Sequence, residues 1–116
     1  MKKQRLDESE ILKIFSSVVR LKIVAALMSA PGLSFSELME QLLLTRGNLS
    51  SHMTALEKHQ FIAITKCFRN KKAHTSYTLT LRGSEAFEQY VAHLESIILP
   101  TRELSSTTSE GVDNAQ

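Results

Sequence analysis

Between Leu42 and Ile62 the sequence reads LLLTRGNLSSHMTALEKHQFI, and no other stretch constrains the fold as much. A helical apolar period ends in leucines, Thr45 interrupts it, and a second helical period opens after a connection of two or three residues. Thr45 has the side chain of an N-cap. Two short helices joined this tightly form a helix-turn-helix. After His59 the period changes. In FIAITKCF, Phe61, Ala63, Thr65 and Cys67 share one face and Ile62, Ile64, Lys66 and Phe68 the other, and TSYTLTL alternates in the same way. With the polar RNKKAH between them, the two segments predict a β-hairpin.

The flanks are helical. Ile11, Phe15, Val18, Val19, Ile23, Val24 and Leu27 recur at three- and four-residue steps, and Ser16-Ser17 suits a restart, so two abutting helices are expected over about 7–15 and 18–29. Ala30–Leu33, APGL, breaks the second. Ser34 and Glu37 have capping-box spacing and open a helix to about Leu43. Thr80 is the expected cap of a last helix carrying Phe87, Tyr90, Val91, Leu94, Ile97 and Ile98, with Pro100 as its end. Residues 1–100 then read as one domain and 101–116, poor in apolar side chains, as a disordered tail. The fold class is mainly α with a small β-hairpin wing: a winged helix-turn-helix with flanking N- and C-terminal dimerisation helices.

On the second helix of the motif, Leu49, Met53 and Leu56 define the buried side. The opposite side receives Gly47, Ser51, Thr54 and Lys58, flanked by Asn48, Ser50 and Ala55, while Glu57 projects sideways. A merely solvated face usually carries long Glu and Lys pairs, and these are nearly missing. Small hydrogen-bonding side chains let a helix backbone approach base edges in a major groove about 12 Å wide. Arg46, near the helix N-terminus, suits guanine or a phosphate. The formal charge is only +2, but Lys66, Arg69, Lys71 and Lys72 crowd into KCFRNKK. With Asn70 and His74 they make the hairpin tip the second expected contact to the phosphate backbone.

Other functions find little support. No Gly-rich phosphate loop, nucleophile elbow or paired-carboxylate motif is present, so no enzyme and no catalytic residue is expected. No metal site and no cofactor are expected either, the alternative being a sensor site assembled across a dimer. His52 borders the core and is expected to bond the neighbouring helix. Cys67, the single cysteine, is expected to be buried and inert, with a redox role as the alternative. Without a membrane-length apolar run or a secretory leader, a cytoplasmic location is expected.

The segments VVRLKIVAAL, LTRGNLSSHMTALEKHQFI and YTLTLRG resemble the small winged-helix transcriptional regulators of the MarR/ArsR-like type, over roughly residues 17–90. Thr45, Gly47, Asn48, Leu49, Ser50, His52, Leu56 and Glu57 match the T-x-G-N-L-S-x-H-x-x-x-L-E recognition helix; Tyr77, Leu79, Thr80 and Gly83 match Y-x-L-T-x-x-G. The resemblance implies a homodimeric prokaryotic DNA-binding regulator, most often a repressor. Two positions depart from the pattern: members usually have Gly where Gln60 stands, and many have Pro where Val18 stands. A left-handed backbone at Gln60 would cost on the order of 1 kcal/mol.

The dimer seam is expected along Ile11, Leu12 and Phe15 together with Phe87, Tyr90, Val91, Leu94, Ile97 and Ile98; packing of these helices within one chain is the alternative. A two-fold dimer would set recognition helices about 34 Å apart and call for a near-palindromic operator. A winged-helix module binding a protein partner, and a regulator switched by a small-molecule effector, are the competing readings.

Overall fold

The computed structural model describes the backbone of residues 7–114 and the side chains within that span except those of Arg69 and 101–114. In chain order the elements are α1 (Glu8–Ile14), α2 (Val18–Ser29), β1 (Leu33–Ser34), α3 (Phe35–Leu42), α4 (Arg46–Lys58), β2 (Ile62–Arg69), β3 (Lys72–Leu79) and α5 (Leu81–Asn114). The winged helix-turn-helix expected from the sequence is present, mainly helical with a small antiparallel sheet.

Each helix starts where a short polar side chain takes up a free backbone amide. The Asp7 carboxylate accepts from the Ser9 amide, and the Ser17 hydroxyl from the Arg20 amide at 3.3 Å. Ser34 and Glu37 form the full capping box: Glu37 N–H donates to Ser34 Oγ at 3.1 Å and Ser34 N–H to Glu37 Oε1 at 2.8 Å. Leu43 ends α3 in the left-handed region at φ 55°, which turns the chain sharply enough for α4 to begin at Arg46. The break between α1 and α2 falls at Ser16-Ser17, as the sequence indicates.

The sheet has the order β1-β3-β2. β2 and β3 pair from Ile62↔Leu79 out to Arg69↔Lys72. The turn is therefore Asn70-Lys71 alone, with both residues at positive φ (51° and 65°), the geometry that matches the twist of a hairpin. The six-residue RNKKAH turn expected from composition is thus corrected: Lys72, Ala73 and His74 belong to β3. Asn at the first turn position tolerates the left-handed backbone, so strand pairing continues past the polar residues. β1 is an addition to the expected elements. Its two residues, Leu33↔Tyr77 and Ser34↔Ser76, are too few to show an alternation.

The core gathers one face from every helix: Ile11, Ile14 and Phe15, then Ile23, Val24 and Leu27, then Leu38, then Leu49, Met53 and Leu56. Phe61 and Ile62 enter it from the base of the wing and Ala86 from α5. Phe15 is its centre, stacked on Phe61 at 5.9 Å and met by Tyr90 at 5.3 Å and edge-on by Phe87 at 6.3 Å. Burying such a ring stabilises by roughly 3 kcal/mol. Within the single chain this covers part of the face expected at a dimer seam, in line with the alternative that these helices pack on each other. Ile11 and Phe15 are 2% and 1% exposed within the single chain, because α1 docks its apolar face on α5, and Phe87 and Tyr90 are half-buried against them. A helical period identifies an apolar face but not its cover. His93 Nδ1 and a Glu8 carboxylate oxygen, 3.1 Å apart, tie the same two helices at the surface.

α5 also runs further than expected. Pro100 lies inside it, and helical backbone continues to Asn114. A proline deletes one intrahelical hydrogen bond and crowds the carbonyl four residues back, which bends a helix without having to end it. The tail expected to be disordered, 101–116, concerns side chains outside the described residues and, for 115–116, backbone outside them as well.

Candidate nucleic-acid interface

The interface starts at the N-terminus of α4. Thr45 Oγ1 accepts from the Asn48 amide at 3.1 Å, so this hydroxyl organises the first turn. From there the helix divides cleanly. Leu49, Met53 and Leu56 are buried, while Gly47, Asn48, Ser50, Ser51, Thr54 and Lys58 are exposed and Ala55 is half-buried. Among the described residues nothing covers the face assigned to base edges. Gly47 needs no glycine for packing: a Cβ built there meets no atom within 4 Å, and its φ is that of an ordinary residue. A helical glycine with empty space in front of it leaves room for something outside the chain.

Arg46 is exposed at the start of α4, its guanidinium 5.5 Å from the centre of the Phe35 ring, which packs in turn on Tyr77 at 6.5 Å. The ring holds the charged fork at the front of the helix. Periodicity marks Phe35 only as a core residue of α3, so this arrangement lies outside the reach of the sequence. Burial, and secondarily the Glu57 carboxylate, pushes the Tyr77 phenol up from its ordinary range. His52 behaves as expected. Arg20 Nε donates to His52 Nδ1 at 3.2 Å, and Arg20 Nη1 donates to the Ile14 carbonyl at 3.3 Å. Burial first, and the Arg20 charge second, lower the imidazole below its usual pKa and favour the neutral, accepting form.

The C-terminal end of α4 is locked to the wing and to α5. Gln60 stands at φ 64°, the left-handed position where the family pattern has glycine. Thr80 Oγ1 donates to the Gln60 carbonyl at 2.7 Å, and the Thr80 amide donates to the Phe61 carbonyl at 2.9 Å. The same hydroxyl oxygen accepts from the Gly83 amide at 2.9 Å and so caps α5. Arg82 Nε donates to the His59 carbonyl at 3.1 Å. A Cβ on Gly83 would run into the Phe61 carbonyl and sit 2.9 Å from Leu79 Cδ1. Thr80 and Gly83 of the second motif are therefore the fasteners of a joint.

The wing carries Lys66, Asn70, Lys71, Lys72 and His74 exposed; Arg69 lies in β2 with its side chain outside the described residues. Between Glu40 and Glu85 the chain has one acidic residue, Glu57, against Arg46, Lys58, Lys66, Arg69, Lys71, Lys72 and Arg82. Recognition helix and wing thus form a cationic surface within a chain of nearly balanced charge. Cys67 corrects another expectation: it is exposed, not buried, because the hairpin overhangs the core and only its base is covered. With His74, its cross-strand partner, and Glu37 it lines a shallow cavity of about 110 Å³ between the wing and β1. Alternation puts Phe68 on the strand face shared with Ile62 and Ile64, yet it is 77% exposed. Among the described residues no group of three or more His, Cys, Asp or Glu could hold a metal ion, and no helix is long and apolar enough to cross a membrane.

Residues 19–98 match the family described as winged helix DNA-binding domain. The chain belongs to that family. An uncharacterized protein of Methanocaldococcus jannaschii, MJ0432, is 39% identical over 80 residues, covering 69% of this chain and 87% of the relative. The structure of a transcriptional regulator homologue from Pyrococcus horikoshii superposes with a TM-score of 0.72 at 29% identity, covering 83% of this chain and 98% of that one. S. aureus MepR, solved as a DNA complex, shares the fold at 15% identity with a TM-score of 0.67, covering 93% of this chain and 88% of that one. The family is one of DNA-binding domains rather than enzymes, in line with the MarR/ArsR-like resemblance of the recognition helix.

Proposed function

We propose that this winged helix domain works as a homodimeric, sequence-specific regulator of transcription, acting in the cytoplasm as a repressor on a near-palindromic operator. One observation carries the reading: the strip Gly47, Ser51, Thr54 and Lys58 is uncovered, free of acid and open beyond Gly47. The Pyrococcus regulator homologue, the DNA-bound MepR structure and a similarity to the transcriptional repressor BigR of Xylella fastidiosa (28% identity, TM-score 0.58) support the direction of this assignment. In it, Arg46, Asn48, Ser50, Ser51 and Thr54 read base edges, and Lys58 and the helix N-terminus hold phosphates. Lys66, Arg69, Asn70, Lys71, Lys72 and His74 of the wing grip the flanking backbone. Each protomer of a two-fold pair reads one half-site.

Gly47→Leu separates this from a face that is merely solvated. A Cβ at this position meets no atom of the free chain within 4 Å, and leucine is the better helix former, so the melting midpoint is expected to stay or rise. Affinity for duplex DNA selected on the parent protein, followed by fluorescence anisotropy, is expected to fall at least about tenfold, because the added bulk holds the helix off the groove floor. Ser51→Ala and Thr54→Ala are expected to shift sequence preference instead. Unchanged binding by all three variants would sink the assignment.

A further inference from the structure

Phe68 finds no place in the core and no role in the contacts above. It lies six residues along β2 from Ile62, which is 3% exposed, so at the usual strand rise it stands about 20 Å beyond the packed base of the wing. Its cross-strand partner is Ala73, too small to shield the ring, and it is itself 77% exposed. A phenylalanine stabilises a fold mainly through burial, and this one gains little of that in the free chain. Its surroundings are cationic: Lys66 shares its strand face, Lys71 and Lys72 form and follow the turn, and no acid occurs over 58–84. The turn is a tight one, with Asn70 and Lys71 both left-handed, so the ring is carried on a short, stiff tip.

We propose that Phe68 is an apolar contact of the wing to DNA, set against the sugar walls and base edges of the minor groove while the flanking lysines hold the phosphates. Apolar side chains are used in this way by proteins that enter the minor groove, where a ring can press between base steps. The charge around Phe68 selects this occupant over a second copy of the chain, whose wing would bring the same positive charge. The inference rests on the DNA-binding reading and adds to it a residue that acts without charge.

The test compares Phe68→Ser with Lys72→Ala on a fluorescein-labelled 30-bp duplex with A·T-rich flanks, over a series of salt concentrations. Phe68→Ser is expected to weaken binding about tenfold at every salt concentration, leaving the log–log slope unchanged. Lys72→Ala is expected to lower the slope by about 0.9 for each phosphate it ceases to neutralise. Binding of Phe68→Ser within about twofold of the parent would overturn the inference while leaving the DNA-binding reading intact. A shift of Phe68→Ser in sedimentation without DNA would assign the ring to a second copy, and a collapse of its melting midpoint would assign it to packing; either result overturns the proposal. Failure of the parent itself to bind any duplex would overturn both.

Discussion

Arg20 shows how one side chain conditions another's chemistry. It spans from the last turn of α1, through the Ile14 carbonyl, to His52 on the recognition helix, and it needs an unprotonated acceptor there. The lowered His52 pKa fixes the sign of the pH effect. As pH falls below about 6.5 the unfolded chain takes up a proton at this imidazole while the folded chain resists. Stability contributed by the neutral ring is thus complete above that value and is lost as pH drops toward the depressed folded one. Glutamine can accept from Arg20 without titrating. His52→Gln is therefore expected to show a smaller loss of melting temperature between about pH 7.5 and 5.5 than the parent; equal losses in calorimetry would mean that the Arg20 link does not govern titration here.

At the scale of elements, the joint between α4, β2 and α5 makes opposite demands on two neighbouring positions. Gln60 holds a left-handed backbone that glycine adopts without strain, so Gln60→Gly is expected to raise unfolding free energy by about 0.5–1 kcal/mol, net of the entropy it adds to the unfolded chain. Gly83→Ala is expected to lower it by about 1–3 kcal/mol, since the methyl group would meet backbone rather than a yielding side-chain tip. Urea titrations of both variants check the pair. Elements whose signals are local were legible in the sequence: the caps at Ser17, Ser34 and Thr45 act within three residues, and the buried trio of α4 follows from its period. The open face of that helix was legible by the same rule, since positions opposite a buried stripe point outward. What escaped the sequence depends on partners far along the chain. β1 exists because Tyr77 and Ser76 pair with it. Ile11 and Phe15 are core because α5 returns to cover them, and Cys67 and Phe68 are exposed because the hairpin outruns the body. Alternation assigns faces along a strand, but it does not say where the supporting layer stops.

For the whole molecule, with Ile11 and Phe15 enclosed, the apolar surface open to the proposed second protomer lies toward the far part of α5. Ile97, Ile98 and Leu99 are 56%, 41% and 43% exposed there, with Val91, Leu94 and Leu12 half-buried. Ile97→Asp combined with Ile98→Asp is expected to convert a dimer to monomers in analytical ultracentrifugation, with little change in the fold of each chain. Dimers persisting at micromolar concentration would place the seam elsewhere. The Gly83 joint then acquires a meaning beyond one chain. A strut welded to the reading head transmits angle as well as distance, so the separation at which two heads present themselves would be decided wherever their struts meet. In the proposed pair, such a caliper would have little play. Inserting a single base pair between half-sites turns one of them by about 36° and displaces it by about 3.4 Å, and a stiff pair of jaws would release DNA that a hinged pair could still follow.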